Sequence, residues 1–389
     1  MSPLRRALLL VALGAGSAGA PAGVRAQAAP PATAPAPPPA TPATPPADPI
    51  RRGRVLVFPR DHGAHLSART EWWYATGWLG TPQAPAAGFQ VTFFRSRTGL
   101  AAESRSRFAA RHLLFAHAAL TRLGAPGSTG HLHDQRIVRW SGDARATTAR
   151  ARVDDADVHI GNWRLRRQDQ AWVADVPAQG FRLQLTMQRT QPVLLQGDAG
   201  FSRKGPEERQ ASHYYSEPQL ATSSAPAEAD PAGTTKATGH AWLDHEWSDE
   251  ILHPQAVGWD WIGMNLFDGS ALTAFVLRRQ DGSTLWAGGS WRAAGTPAQA
   301  FAPEQVRFQP GRLWASPGSG TRYPVQWQVD TPAGRFEVRA LLDAQELDSR
   351  SSTGSIYWEG LSELLDARGR RVGLGYLEMT GYASPLRMQ

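Results

Sequence analysis

Asp244, His245 and Glu246 stand in a row within "GHAWLDHEWSDE", the stretch from Gly239 to Glu250, between Trp242 and Trp247. Three adjacent ionisable side chains could supply an acid, a base or metal ligands, and the indoles could wall an apolar substrate. Read as a strand, the row divides. Ala241, Leu243, His245 and Trp247 share one face; His240, Trp242, Asp244 and Glu246 share the other. The face with Ala and Leu is the better inward candidate. His245 and Trp247 are therefore expected inside. Asp244 and Glu246 are expected outside, paired with arginines on a neighbouring strand. For His245 two roles stay open, a hydrogen-bonded core histidine and a participant in chemistry.

Any acid serving His245 must then come from another strand. In "GWDWIGMNLFDGSALTAF" (258–275), Asp260 is in phase with Ile262, Met264 and Leu266, and Trp259 and Trp261 are in phase with Asn265. Either face could be inward. If the Ile/Met/Leu face is, Asp260 is a buried carboxylate that must be paired or take a raised pKa. His245 is then its expected partner across a hairpin. Three more carboxylates sit among aromatics: Glu71 with Trp73, Glu359 with Tyr357, and Glu378 with Tyr376. Their recurrence suggests that at least two line one cavity.

Other chemistries find little support. "HEWSD" departs from H-E-x-x-H, since Asp249 replaces the second His and the context is not helical. "HLH" (131–133) offers two imidazoles and no third ligand. There is no G-x-S-x-G elbow, no cysteine, and no Walker or dinucleotide glycine pattern. "QGDAGFSRKGP" (196–206) carries Arg203 and Lys204 but lacks the strand–helix framing of a phosphate loop. No metal and no cofactor are expected.

These side chains must be positioned by strands. "FRLQLTM" puts Phe181, Leu183, Leu185 and Met187 on one face and Arg182, Gln184 and Thr186 on the other. Similar runs recur at 88–97, 271–279, 323–330 and 335–343. The segment 106–123 reads as loop plus strand. Thr222–Lys236, rich in Pro, Ala, Gly and acids, is the expected joint between an N-terminal domain (51–232) and a C-terminal one (233–389). Each piece suits a closed or nearly closed β-barrel or a sandwich.

The first 26 residues read as a secretory signal. Arg5 and Arg6 precede "ALLLVALGAG", and "VRA" closes the segment. That apolar run is too short for a permanent span. Residues 27–50, dominated by Pro and Ala, read as an extended linker. With no cysteine there is neither a disulfide nor a lipid-modified N-terminus. Removing Arg5, Arg6 and Arg25 with the leader takes the formal charge from +7 to +4. The remaining charge is scattered, which argues against nucleic-acid binding. The expected location is periplasmic or secreted.

Longer strings add a resemblance. "EWWYATGWL", "LLFAHAALT", "GFSRKGP", "HYYSEPQL", "AWLDHEWSDEIL", "QELDSRSSTGSIYWEG" and "GYLEMTGYA" resemble the carotenoid 1,2-hydratase-like (AttH-like) proteins, over about residues 55 to 385. The resemblance implies an all-β fold of two lipocalin-like antiparallel β-barrel domains in tandem. Carotenoid hydratases add water to a terminal double bond, and their His-x-Trp pair is matched by His245 and Trp247. Their later Tyr and Asp have no counterpart in "GSALTAFV" (269–276), which argues against carotene hydration itself. The expected function is therefore binding of an apolar isoprenoid-like or lipid-like ligand, with acid–base hydration or isomerisation. His245, Asp260 and Glu71 are its expected catalytic groups. Trp247, Trp73, Trp259, Trp261, Tyr357 and Glu359 are its expected ligand-binding groups. The alternatives are a non-catalytic carrier linked to an ABC-type exporter and a secreted hydrolase.

Overall fold

The computed structural model describes residues 48–386, except 101–103, 105, 107–108, 125–129, 226–236 and 251. The expected leader, most of the Pro/Ala-rich linker and the centre of the expected joint lie outside the described residues. Within them the chain is made of strands, with two short 3-10 turns at Arg60–His62 and Pro303–Gln305. Short apolar runs of period two, broken repeatedly by Gly, Pro and Asp, have neither the length nor the period of a helix. No helix among the described residues is long and apolar enough to cross a membrane.

The first sheet begins with β1 (Thr70–Gly80), β2 (Pro85–Arg97), β3 (His112–Arg122) and β4 (Gly130–Trp140). Short strands follow: β5 (Ala149–Ala151), β6 (Asp157–Ile160), β7 (Trp163–Gln168), β8 (Ala171–Ala178) and β9 (Phe181–Gln188). It is completed by β10 (Leu194–Leu195), β11 (Phe201–Arg203), β12 (Ala211–Ser224) and β13 (Thr238–Ser248). Its order is β4-β3-β2-β1-β13-β12-β9-β8-β7-β6-β5, with β10 and β11 on β12. β4 returns against β5 and β6, so the sheet curls almost to closure and hides its edges.

The second sheet contains β14 (Gly258–Leu266), β15 (Ala271–Arg278), β16 (Thr284–Arg292), β17 (Gln299–Ala300) and β18 (Arg307–Pro310). A two-stranded ribbon, β19 (Leu313–Ala315) with β20 (Arg322–Pro324), stands apart from it. Next come β21 (Gln326–Thr331), β22 (Gly334–Ala340), β23 (Glu346–Ser349), β24 (Ser355–Leu365) and β25 (Arg371–Met379). The order is β17-β16-β15-β14-β25-β24-β22-β21-β18, with β23 on β24.

The chain leaves the first sheet later than the expected joint. β13 lies beyond residue 232, yet it is hydrogen-bonded between β1 and β12. The two sheets part between Ser248 and Gly258. Composition cannot reveal this, because a soft loop can join two strands of one sheet as well as two domains.

Each sheet encloses a core. Phe89, Val91, Phe93, Leu114, Trp163, Leu183 and Leu243 fill the first, and Ile262, Met264, Val276, Trp327, Trp358 and Leu377 the second. A third apolar layer lies where the sheets pack on each other, around Tyr74, Trp78, Trp242, Trp261, Phe275, Leu361 and Tyr376. Buried polar ties lock that junction. Gln219, at φ +58 in the irregular stretch of β12, donates its backbone N–H to Asn265 and its side-chain amide to the Leu266 and Ser270 carbonyls, each at 2.8 Å. Asn265 in turn donates to the Ala241 carbonyl at 3.1 Å. Strands β1, β13, β14, β24 and β25 are thus covered on both faces.

Candidate active site

The His245 face of β13 points into the first barrel. Pairing with β1 sets Trp73 opposite His245 and Glu71 opposite Trp247. His245 Nε2 is 3.1 Å from Glu71 Oε1, and its Nδ1 is 3.1 Å from the Tyr215 hydroxyl. The Trp73 ring stacks on the imidazole at 4.8 Å, and Trp247 lies 5.0 Å away, tilted. Glu71 also accepts from Arg95 Nε at 2.7 Å and from the His65 backbone N–H at 2.9 Å, and it faces His65 Nδ1 at 2.8 Å. His65 stacks on Trp247 at 3.6 Å and reaches Asp61 through Nε2 at 3.1 Å.

Burial pushes the Glu71 carboxyl up. Arg95, His245 and His65 outweigh it and hold Glu71 well below the usual carboxylate range. Burial pulls His245 below its ordinary value, with Glu71 opposing. The arrangement is therefore a neutral imidazole on a fixed carboxylate. His65, Glu71 and His245 bring three metal-ligating atoms within 4.8 Å of one another. All three atoms are already engaged in this hydrogen-bonded cluster, and the Arg95 guanidinium occupies the other Glu71 oxygen. Extra positive charge is disfavoured there. The cluster is closed: His245, Glu71, Trp73 and Trp247 are each at most 1% exposed.

Asp260 is not the partner of His245. It lies on β14, which pairs with β15 and β25 and not with β13. As its phase with Ile262 and Met264 allows, Asp260 faces the second core and is fully buried. Its carboxylate lies 2.8 Å from Arg278 Nε and accepts from the Tyr382 hydroxyl at 3.0 Å. Burial raises its pKa to about 6 against those two partners. The acid beside His245 is Glu71, the second of the two expected.

The other face of β13 opens on a cavity of about 120 Å³ between the two sheets. The first sheet contributes Trp72 and Tyr74 from β1, Phe94 from β2, Tyr214 from β12 and Asp244 and Glu246 from β13. Lys204, just after β11, closes the same side. The second sheet contributes Trp259 and Trp261 from β14, Phe275 and Leu277 from β15, Tyr357 and Glu359 from β24 and Glu378 from β25. Asp244 and Glu246 therefore do not pair with surface arginines. Asp244 accepts from Tyr214 at 2.8 Å, Ser216 at 2.5 Å and the Trp242 indole at 2.7 Å. Glu246 accepts from Ser212 and, at 2.9 Å, from Lys204 Nζ.

Glu359 and Glu378 face one another across the β24–β25 pair. Burial and the charge of Glu378 push Glu359 well above the usual range, against the neighbouring Tyr74 hydroxyl. Burial pushes Glu378 up to about 7 against the Trp259 indole, with Asp244, Glu246 and Asp260 adding to the rise. Two carboxylates so placed cannot both ionise readily and titrate as a pair sharing a proton. Burial also lifts Asp244 to about 7, despite its three donors. The cavity can thus hold a neutral carboxylic acid at neutral pH next to a carboxylate, among indole and phenyl faces.

Of the residues expected to bind ligand, Trp259, Trp261, Tyr357 and Glu359 meet in this cavity. Trp247 and Trp73 sit apart from them, in the closed His245 cluster. Asp244 and Glu246 thus face the cavity and not the expected solvent-side arginines, and Lys204, Tyr74, Tyr214 and Trp72 join them as lining residues that strand phase alone does not point to. One signal was available: Trp242 shares a strand face with Asp244 and Glu246, and an indole is poorly suited to a solvent-facing surface.

A family profile described as AttH-like matches residues 49–382. A crystal structure of an AttH candidate from Nitrosomonas europaea is 42% identical, covering 86% of this chain and 99% of that one, with a TM-score of 0.76. Kievitone hydratase from Nectria haematococca shares the fold at 15% identity, covering 85% of this chain and 94% of that one, with a TM-score of 0.61. A comparison with curated proteins finds no match. With the profile spanning both sheets and the cavity between them, the chain belongs to the AttH-like family.

Proposed function

We propose that this AttH-like chain is an acid–base catalyst, without metal or redox cofactor, that adds water to a carbon–carbon double bond in an apolar, isoprenoid-like or lipid-like substrate, or isomerises it. The reaction takes place in the cavity between the sheets. The observation that carries this reading is the Glu359–Glu378 pair, set face to face among Trp72, Trp259 and Trp261. The protonated member gives its proton to one carbon of the double bond. Water bonds the other carbon and passes a proton to the ionised member, so the pair ends as it began. General acid–base catalysis of this kind contributes about 10²–10⁴-fold. Asp244, lifted by its burial, is placed to bias the pair. The His245–Glu71 cluster, closed and behind β13, is a support that fixes the strand carrying Asp244 and Glu246.

The test is turnover of isoprenoid and polyketide-like alkenes in ¹⁸O-labelled water, followed by mass spectrometry of the products. Glu359→Gln and Glu378→Gln should each lower label incorporation about 10²–10⁴-fold with the β circular dichroism retained. Unchanged incorporation in both variants would sink the proposal. The carrier reading finds less support, because a carrier of an apolar ligand needs few ionisable groups, whereas Asp244, Glu246, Glu359 and Glu378 all line this cavity. The leader read from the sequence supports an activity outside the cytoplasm. N-terminal sequencing of protein recovered from a periplasmic extract tests that part.

A further inference from the structure

We infer that Lys204 makes this cavity a carbonyl site, so that the substrate's double bond is conjugated to a carbonyl whose oxygen docks on the Lys204 ammonium. The inference rests on the acid–base reading and narrows it to α,β-unsaturated carbonyl compounds.

Lys204 lies in "GFSRKGP", directly after β11. Its backbone N–H donates to the Gln210 carbonyl at 2.7 Å, which pins it at the β11–β12 hairpin. The side chain is buried, and it is the one basic side chain among the described residues lining the cavity. Its Nζ is 2.9 Å from Glu246 and sits 4.7 Å from the Tyr214 ring centroid and 4.3 Å from that of Phe275. An ammonium carries three N–H donors. Glu246 takes one, and ring faces hold the charge without accepting a proper hydrogen bond. A hydrocarbon bound here would press against donors it cannot satisfy, at the cost of an unmade buried hydrogen bond.

Charge selects the kind of acceptor. Glu246 already neutralises Lys204, and Asp244, Glu359 and Glu378 add further acidic groups. A carboxylate or phosphate would meet net repulsion. A neutral carbonyl oxygen would not. Once docked, the same contact serves the reaction. Water bonds the β-carbon, its proton leaves to the ionised glutamate, and the alkene electron pair moves to the carbonyl oxygen. The Lys204 N–H groups then face the developing enolate. The protonated glutamate delivers its proton to the α-carbon, and the carbonyl re-forms.

Two probes of six carbons match the cavity: 2-cyclohexen-1-one and cyclohexene. Their binding is read from indole ¹H–¹⁵N shifts of Trp259 and Trp261, in a Glu378→Gln background that prevents turnover. The enone should bind about tenfold more tightly than the alkene. Lys204→Met should abolish that preference, weakening enone binding and relieving the cost that cyclohexene meets at the ammonium. Glu246→Gln, which frees the ammonium, should keep or enlarge the preference and serves if Lys204→Met does not fold. Equal binding of the two probes, a preference that survives Lys204→Met, or a preference lost in Glu246→Gln overturns the inference. Because binding is read without turnover, an enone preference together with no labelled product from any alkene would sink the acid–base reading alone.

Discussion

Glu359 and Glu71 are both buried glutamates with opposite fates, and the difference lies in their neighbours, the Arg95 guanidinium first among them. Glu71 has Arg95 at 2.7 Å and stays ionised. Glu359 faces another acid, Glu378, and is pushed toward its neutral form. On the proposed reading the first arrangement supports the strand that carries Asp244 and Glu246. Glu71→Gln strands the buried Arg95 charge, and urea unfolding should show a loss of about 3–5 kcal/mol. Asp260 provides the complementary check. Asp260→Asn breaks its pairing with Arg278 inside the second barrel. It should lower the unfolding midpoint while leaving label incorporation and probe binding as in the wild type. A loss of turnover at constant stability would return Asp260 to the active site.

At the scale of elements, β13 and β14 do two jobs each because both of their faces are covered. β13 sends His245 and Trp247 into the first core and Asp244 and Glu246 into the cavity. β14 sends Asp260, Ile262 and Met264 into the second core and Trp259 and Trp261 into the cavity. Gly263 makes room for this. The Trp261 ring folds back over it, and a Cβ there would lie 2.3 Å from the indole. Gly263→Ala should therefore drive the indole into the cavity and weaken binding of both six-carbon probes. Overpacking of this kind costs roughly 1–3 kcal/mol, visible as a lower thermal midpoint with a displaced Trp261 indole resonance. Normal probe binding in that variant would mean that the ring finds another place.

For the whole molecule, the buried acids and histidines pull stability in opposite directions with pH. Asp244 and Glu378, each lifted to about 7, hold protons in the folded state that the unfolded chain releases near pH 4. Their contribution is full below that range and is lost as pH rises through about 7. His62 is pulled down to about 2, and His112 and His117 to about 3, chiefly by burial. Their contribution is present above about 6.5 and is lost on acidification. Glu71, held low, also loses its contribution on acidification. Urea unfolding from pH 5 to 8 should thus show a smaller decline toward pH 8 for Asp244→Asn and for Glu378→Gln than for the wild type. Parallel curves would show that these acids are not protonated in the folded protein.

Much of this was legible in the sequence. The period-two runs and the breakers between them determined an all-β chain, and the long strings carried the family. Strand phase alone separated His245 and Trp247 from Asp244 and Glu246, and Asp260 from Trp259 and Trp261. All those pairings of residues on a face hold. Tertiary structure decided which faces are inward and which strands are neighbours. A strand's period says what shares a side, and it is silent on whether the opposite side meets water or a second sheet. β13 crossed the expected joint to pair with β1, so Glu71 and not Asp260 came to His245. The second sheet then closed over the face that Asp244 and Glu246 share with Trp242. Acids that would have been solvated on a lone barrel became the walls of a cavity, because only packing between sheets distant in sequence removes the water from both faces of a strand.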